Sequence, residues 1–456
     1  VYNSTDTIAA LATPVGESGI AVIRISGPQA LDVLSTVLRT PAGNVFDAWE
    51  HRRLYHGYFV EESGERVDEV MASVLRGPDS YTGEDVVEIS CHGGLAVVQR
   101  VLHVLFGRTR PAEAGEFTRR AFLNGKIDLI QAEAVADLIH ARTEVQRVAA
   151  ERQLAGELSR RIDTLADEML LLLGDLEARI DFIEEGIEAL DIPAALARIH
   201  SQRVALDELL ASAPMARVLR DGFRVVIAGP VNAGKSSLFN RLLGESRAIV
   251  TEIPGTTRDV LRETLVIDGV PFVLHDTAGL REQTSDRVEQ LGMGRTTDAL
   301  GQADLVLFVV DGSEMRPADP GLAQALGALD ANRSIVLINK ADLPARTHGA
   351  IDGLRVSAVS GVGLDELRTT VLARTGALEL ARMARERSVL NARLARLLED
   401  ARSELSELGG MIRDGQPLEL VAEKAREALH LYEEATGRRY HDGLLDVIFS
   451  RFCIGK

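Results

Sequence analysis

The sequence predicts a multidomain protein, α+β at its N-terminus and α/β further on, with the α/β part inserted into a helical bundle. Three observations carry this. The chain has 456 residues, too many for one ordinary core. A phosphate-loop pattern, Gly229-Pro-Val-Asn-Ala-Gly-Lys-Ser236, sits between a strand-like and a helix-like run. Helical periodicity dominates on both sides of that region, over 119–215 and 376–456. The two helical parts then pack as one domain, with 216–375 looped out of it.

Residues 1–118 read as α+β. Thr7 to Ala12, Ile20 to Ile25, Leu54 to Val60, Glu69 to Leu75 and Val86 to Ser90 are strand-like, and 95–106 is a helix. Arg24 and Glu88 stand inside apolar strands. Either they face solvent on an alternating strand, or they line a pocket in which Arg24 pairs an anionic group and Glu88 accepts from a polar heterocycle. In 119–215 apolar residues recur at three and four through Leu158, Ile162, Leu165, Met169 and Leu172. Arg119, Arg120 and Lys126 give the start of this region a basic face, read as a solvated helix end. In 376–456 one stripe runs through Leu390, Leu394, Leu397 and Leu398, and Leu418 to Tyr432 forms a further helix.

The net charge of −17 excludes a protein that coats nucleic acid by bulk electrostatics, so any RNA contact must use a local basic patch. Two cysteines argue against a disulfide framework and for a reducing, cytoplasmic setting. The polar start lacks the basic n-region of a secretory leader. Leu170 to Leu173 is flanked by Glu168 and Asp175, so no membrane span is expected. There are only five lysines: Lys126, Lys235, Lys340, Lys424 and Lys456. A chain that uses arginine wherever any cation will do keeps lysine where a guanidinium fork does not fit. That singles out Lys126 and Lys456 beside the two in nucleotide motifs.

The phosphate loop presents successive backbone N–H groups at a helix N-terminus. Lys235 would reach the β- and γ-phosphates, and Ser236 would ligate Mg²⁺. Gly255-Thr-Thr-Arg-Asp259 supplies two adjacent hydroxyls, of which Thr257 suits Mg²⁺. Asp268-Gly269 joins two strands as a tight hairpin, and the second strand ends in Asp276-Thr277-Ala278-Gly279. Asn339-Lys340-Ala-Asp342 follows a third strand, and its Asp can accept from both N1–H and the 2-amino group of guanine. Adenine offers neither donor. Ser357-Ala358 closes the base pocket. Leu280 stands where small signalling GTPases place a water-orienting glutamine, so Glu282 and Glu289 are candidates for that task. Asn232 is either a turn residue or a ligand for a monovalent cation.

The chain ends in Arg451-Phe-Cys-Ile-Gly-Lys456. Its cysteine either packs as a small hydrophobe in a docked tail or is delivered with Lys456 into a site, where a thiol is a good nucleophile. Two rival classes are set against the nucleotide-switch reading. A ribosome-assembly GTPase acting as an RNA-binding switch predicts an appended basic domain. A membrane GTPase needs an anchor this chain lacks.

Together these motifs resemble the MnmE (also called TrmE) family of tRNA-modification GTPases over the whole length. The resemblance rests on Asp6 to Pro14, Arg24-Ile-Ser-Gly27, Tyr81-Thr-Gly-Glu-Asp85, His92-Gly-Gly94, Gly115 to Lys126, Asp128 to Ala134, the GTPase motifs and Cys453-Ile-Gly-Lys456. It implies an N-terminal tetrahydrofolate-binding and dimerisation domain (1–118), a helical domain in two parts (119–215 and 376–456) and a Ras-like G domain (216–375). A 5-formyl- or 5,10-methylene-tetrahydrofolate would be contacted by Arg24, Glu88, Lys126 and Lys456. GTP would be held by Asn232, Ala233, Gly234, Lys235, Ser236, Ser237, Thr251, Glu252, Ile253, Pro254, Gly255, Thr256, Thr257, Asp276, Thr277, Ala278, Gly279, Asn339, Lys340, Asp342, Ser357 and Ala358. K⁺ would lie at Asn232, Thr251, Ile253 and Thr256, and Mg²⁺ at Ser236 and Thr257. Glu289 is the implied catalytic glutamate, with Glu282 open beside it, and Cys453 the implied catalytic thiol. The implied partners are a second copy, tRNA and an FAD-dependent MnmG-type protein in a heterotetramer or larger complex. The implied product carries a carboxymethylaminomethyl-type group at C5 of the wobble uridine, U34.

Overall fold

The computed structural model describes residues 6–181, 190–246, 262–276, 301–314, 320–344, 351–386 and 388–456. The chain divides into two compact units. One gathers 1–140, 152–203 and 397–456, and the other gathers 141–151 and 204–396. The second unit thus lies within the first in sequence. The finer four-segment division above remains a proposal.

The first unit holds a seven-stranded sheet. Its strands are β1 (Ile8–Leu11), β2 (Ser18–Ser26), β3 (Leu38–Arg39), β4 (Arg53–Val60), β5 (Arg66–Leu75), β6 (Val86–Gly93) and β7 (Arg110–Pro111), in the order β3-β4-β5-β6-β2-β1-β7. The period-2 pattern decides which face is core. Ala21, Ile23 and Ile25 of β2 and Val87, Ile89 and Cys91 of β6 are buried in one cluster with the helices Ala30–Val37 and Leu95–Phe106. Arg24 and Glu88 fall on the opposite face, directly across from each other in the β2–β6 register. The same unit contains the long helices Glu157–Asp181 and Leu418–Thr436. The stripe Leu158, Ile162, Leu165, Met169 and Leu172 is buried, as is Tyr432.

The second unit holds a six-stranded sheet of β8 (Phe223–Ala228), β9 (Arg262–Ile267), β10 (Val270–Asp276), β11 (Leu305–Asp311), β12 (Ser334–Asn339) and β13 (Leu354–Arg355). The order is β13-β12-β11-β8-β10-β9, parallel throughout except for the edge strand β9. Strand β11 is buried along almost its whole length, as a parallel strand covered on both faces must be. Asp268 and Gly269 both take positive φ (48° and 81°), which is the turn that joins β9 to β10 with a matching twist. Central β8 is flanked by β11 and β10, so the loop leaving its C-terminal end opens where the strand order reverses. Among the described residues no helix is long and apolar enough to cross a membrane.

Candidate functional site

The loop after β8 leads into helix Lys235–Ser246. Asn232 sits there in the left-handed region at φ 64°, and Gly234 at φ +90°. A Cβ on Gly234 would lie 2.2 Å from Asn339 Nδ2, so only glycine fits. That close approach has a purpose. The buried Asn339 side chain donates from Nδ2 to the Ala233 carbonyl (2.9 Å), and its Oδ1 accepts from the Ala358 N–H (3.2 Å). One side chain therefore ties three of the predicted nucleotide segments together. Ser357 donates its hydroxyl to Asp342 Oδ1 at 2.5 Å, orienting the carboxylate proposed to read guanine. The Lys235 ammonium donates to the Pro230 carbonyl within its own loop (2.7 Å). Asn232, Ser236 and Ser237 are exposed. Their amide and hydroxyl oxygens are hard donors that suit K⁺ and Mg²⁺. The backbone of Asp276 ends β10 opposite Ile227, beside the loop. Thr251, Glu252, Ile253, Pro254, Gly255, Thr256, Thr257, Thr277, Ala278, Gly279, Leu280, Glu282 and Glu289 lie outside the described residues.

Asp311 was not foreseen. It ends β11, next to Asn339 in the β11–β12 register. Its Oδ2 pairs with Lys340 Nζ at 2.5 Å, and its Oδ1 accepts from the Ser313 N–H (2.9 Å) and hydroxyl (2.7 Å). Burial opposes the charge on Asp311, but these bonds outweigh it and hold the carboxyl below its ordinary range. The available signal was a strand ending in Asp beside one ending in Asn-Lys.

The second group lies in the first unit. Arg24 donates from Nε (2.9 Å) and Nη2 (2.8 Å) to Glu88 Oε1. Its guanidinium carbon lies 5.7 Å from the Tyr81 ring centroid and 5.5 Å from that of Phe117, two cation–π contacts. Its Nη1 reaches the carbonyl of Gly455 (3.4 Å). Arg24 and Glu88 are thus each other's partner rather than solvated side chains. Lys126 donates to the Pro78 carbonyl (2.8 Å). The turn at Tyr81–Gly83 joins the two positions, with Tyr81 against Arg24 and Gly83 beside the Lys126 stem. Tyr81 and Phe117 escaped prediction because a ring's partner is set by tertiary packing. Burial raises the Tyr81 pKa, although its hydroxyl meets Thr118 at 2.9 Å.

The C-terminal tail docks on this group. The Phe117 N–H donates to the Lys456 carbonyl (3.2 Å), and the Gly115 N–H to that of Cys453 (3.4 Å). Gly455 takes φ +95°, and a Cβ there would lie 2.1 Å from the Leu11 carbonyl oxygen. Phe452 is buried, whereas Cys453 is exposed. The reading of Cys453 as a small buried hydrophobe is therefore corrected: Phe452 anchors the tail and leaves the thiol in solvent. Cys91 is the buried cysteine, and burial pushes its thiol up to about 11.

The basic face at Arg119 and Arg120 is also corrected. Arg120 is 1% exposed and binds Asp6 (2.6 Å), Glu84 (3.0 Å) and Glu116 (3.0 Å). Arg110 completes the network with Asp6 (2.7 Å) and Glu116 (2.6 Å). Arg119 is buried against Asp446 (2.8 Å). Sequence periodicity could not reveal this, because Asp6, Glu84 and Asp446 come from distant segments and only Glu116 lies one helical turn away.

Residues 7–126 match the family model described as "GTP-binding protein TrmE N-terminus", and 129–453 match that of the "MnmE helical domain". The chain is similar to proteins named "tRNA modification GTPase MnmE". It is 45% identical to that of Geobacter metallireducens over 99% of both chains. It is 44% identical to that of Synechococcus sp. WH7803, over 100% of this chain and 99% of the other. For Thermotoga maritima the identity is 40%, over 99% of this chain and 100% of the other.

Proposed function

The chain belongs to the MnmE family of tRNA-modification GTPases, and from that premise we propose that it couples a K⁺-stimulated GTP switch to one-carbon chemistry on a tRNA base. Working in the cytoplasm as a homodimer with an FAD-dependent MnmG-type partner, it adds a carboxymethylaminomethyl-type group at C5 of U34. The one observation that carries the second half of this reading is the meeting of the Arg24–Glu88 pair with the tail that bears Cys453 and Lys456.

In the G domain, the loop N–H groups and Lys235 bind the phosphates, and Asp342 accepts from guanine N1–H and the 2-amino group. Ser236 and Thr257 would hold Mg²⁺, and Asn232, Thr251, Ile253 and Thr256 would hold K⁺. When bound, these ions would supply positive charge to the β- and γ-phosphates as the γ-phosphoryl group passes to water and GDP leaves. Glu289, with Glu282 as the alternative, positions the attacking water. Hydrolysis gates a conformational change and does not itself make carbon bonds.

In the first unit, Arg24 offers a guanidinium set over the rings of Tyr81 and Phe117, with Glu88 beside it as an acceptor for a polar heterocycle. Lys126 and Lys456 add cations for the carboxylates of a tetrahydrofolate, which supplies the one-carbon unit. The exposed Cys453 stands at the same edge. Equilibrium binding of 5-formyltetrahydrofolate tests the assignment: the native protein binds, and Arg24→Ala weakens binding at least tenfold, the loss of a charge-assisted contact worth about 1.5–3 kcal/mol. No measurable binding to the native protein would overturn the folate assignment and favour the ribosome-assembly alternative.

A further inference from the structure

Resting on the guanine reading of the nucleotide site, we propose that Asp311 is a positioning residue for base recognition: it holds the ammonium of Lys340 and so keeps that cation off the carboxylate of Asp342. The demand comes from the base. To accept from N1–H and the 2-amino group together, Asp342 must present an ionised carboxylate with no cation across it. One of its oxygens already accepts from the Ser357 hydroxyl. A competing cation sits in the same turn. Lys340 precedes Asp342 by two residues, and the Leu343 N–H closes that turn on the Lys340 carbonyl (3.0 Å). A lysine is a mobile point charge on a four-carbon stem, and opposite charges at contact distance near a protein surface attract strongly.

The structure gives Lys340 another partner. Asp311 Oδ2 meets its Nζ at 2.5 Å, while Oδ1 accepts from the Ser313 N–H (2.9 Å) and hydroxyl (2.7 Å). Both oxygens are therefore committed, and Asp311 is held in the orientation that meets the lysine. The pair is 17% exposed at Asp311 and 33% at Lys340, so solvent screens it only in part. The segment that carries Asp311 is fixed in turn. It stands opposite Asn339 in the β11–β12 register. The Gly312 N–H donates to the Asn339 carbonyl (2.8 Å), and a Cβ on Gly312 would come within 2.8 Å of Ile338 Cγ2. On the other side of Lys340, the Ala341 N–H donates to the Val356 carbonyl (3.0 Å). Lys340 itself takes φ 64°, left-handed for a residue with a side chain. Such a conformation costs free energy and persists where its neighbours over-determine it. Here the lysine is drawn to β11, and Asp342 is left to Ser357.

Asp311→Asn isolates this role. The amide has the same shape, and its oxygen still accepts from Ser313, but its NH₂ is a donor and offers nothing to an ammonium. The released Lys340 then turns to Asp342, and guanine must displace it. Hypoxanthine lacks the 2-amino group, so it asks for only one acceptor and shares the carboxylate with the lysine.

Calorimetric titration of the full-length protein with GDP, IDP and ADP is the test. The native protein prefers GDP to both of the others. Asp311→Asn weakens GDP binding about tenfold, the scale of a disturbed charge-assisted contact, and weakens IDP binding less, so the preference for guanine narrows. Lys340→Met keeps the stem and removes the charge. The double variant Asp311→Asn/Lys340→Met therefore binds GDP as Lys340→Met alone does, because no ammonium is left to restrain. Native GDP affinity in Asp311→Asn, an equal loss for GDP and IDP, or a double variant that suffers both single losses in full would each overturn the assignment and leave the guanine reading standing. A native protein that does not prefer GDP to ADP would overturn both.

Discussion

Asn339 shows how much one side chain carries. It was predicted from its motif as a nucleotide contact, yet its described bonds are internal, to the Ala233 carbonyl and the Ala358 N–H. Removing it leaves two backbone groups without their partner, at a cost of about 1–3 kcal/mol. Asn339→Ala therefore lowers the thermal transition of the second unit even without nucleotide, and weakens GDP binding through a loosened loop. A nucleotide-free melt equal to the native one would confine Asn339 to ligand contact. Asn232 poses the converse question, since its amide is exposed and the turn alone accounts for its φ of 64°. If it holds K⁺, exchanging Na⁺ for K⁺ raises GTP turnover in the native protein, and Asn232→Ala removes the difference. Equal rates in both salts would return Asn232 to the role of a turn residue.

At the scale of elements, the strands were legible because their pattern is local. Alternation in Ile20 to Ile25 and Val86 to Ser90 assigned a face to every side chain, and the register of β2 on β6 sets Arg24 opposite Glu88. The two-residue strands β3 and β7 are too short to give such a pattern. The ion network at Arg120 was illegible for a related reason. Its carboxylates come from the start of the chain (Asp6), a turn (Glu84) and the helix Glu116–Leu123, so no window contains them. Burial disfavours charge on Asp6 and Glu116, but their bonds to Arg110 and Arg120 prevail and depress both pKa values. A depressed carboxylate stabilises the fold above its unfolded pKa, and that contribution is lost as pH falls through the folded value. The first unit therefore loses stability in acid, below the ordinary carboxylate range near ~4. Arg120→Met costs about 3–5 kcal/mol at neutral pH by stranding buried carboxylates. The deficit narrows in acid, and a deficit independent of pH would point to packing instead. The tail is a second such element. Gly455→Ala forces its Cβ toward the Leu11 carbonyl and lifts the tail segment that bonds Phe117 and Gly115. Hydrogen exchange at the Phe117 amide should then speed up by an order of magnitude or more, whereas native protection would show that the tail adapts.

At the scale of the whole molecule, the sequence order helix, α/β unit, helix already indicated an insertion, and the contacts group 397–456 with the N-terminal part of the chain. What periodicity could not supply was which side chains from distant segments converge: Asp311 on Lys340, Tyr81 and Phe117 on Arg24, Phe452 beneath the exposed thiol. Those meetings depend on long-range packing, and they are where the candidate chemistry resides. We propose that GTP belongs to one unit and one-carbon chemistry to the other, with hydrolysis gating the second. Mass spectrometry of a tRNA transcript tests that claim most directly, after incubation with this protein, its FAD-dependent partner, 5,10-methylene-tetrahydrofolate and glycine. With GTP and K⁺ the wobble uridine gains the mass of a carboxymethylaminomethyl group, and with GDP in place of GTP it does not. Equal modification with GTP and GDP would contradict the coupling.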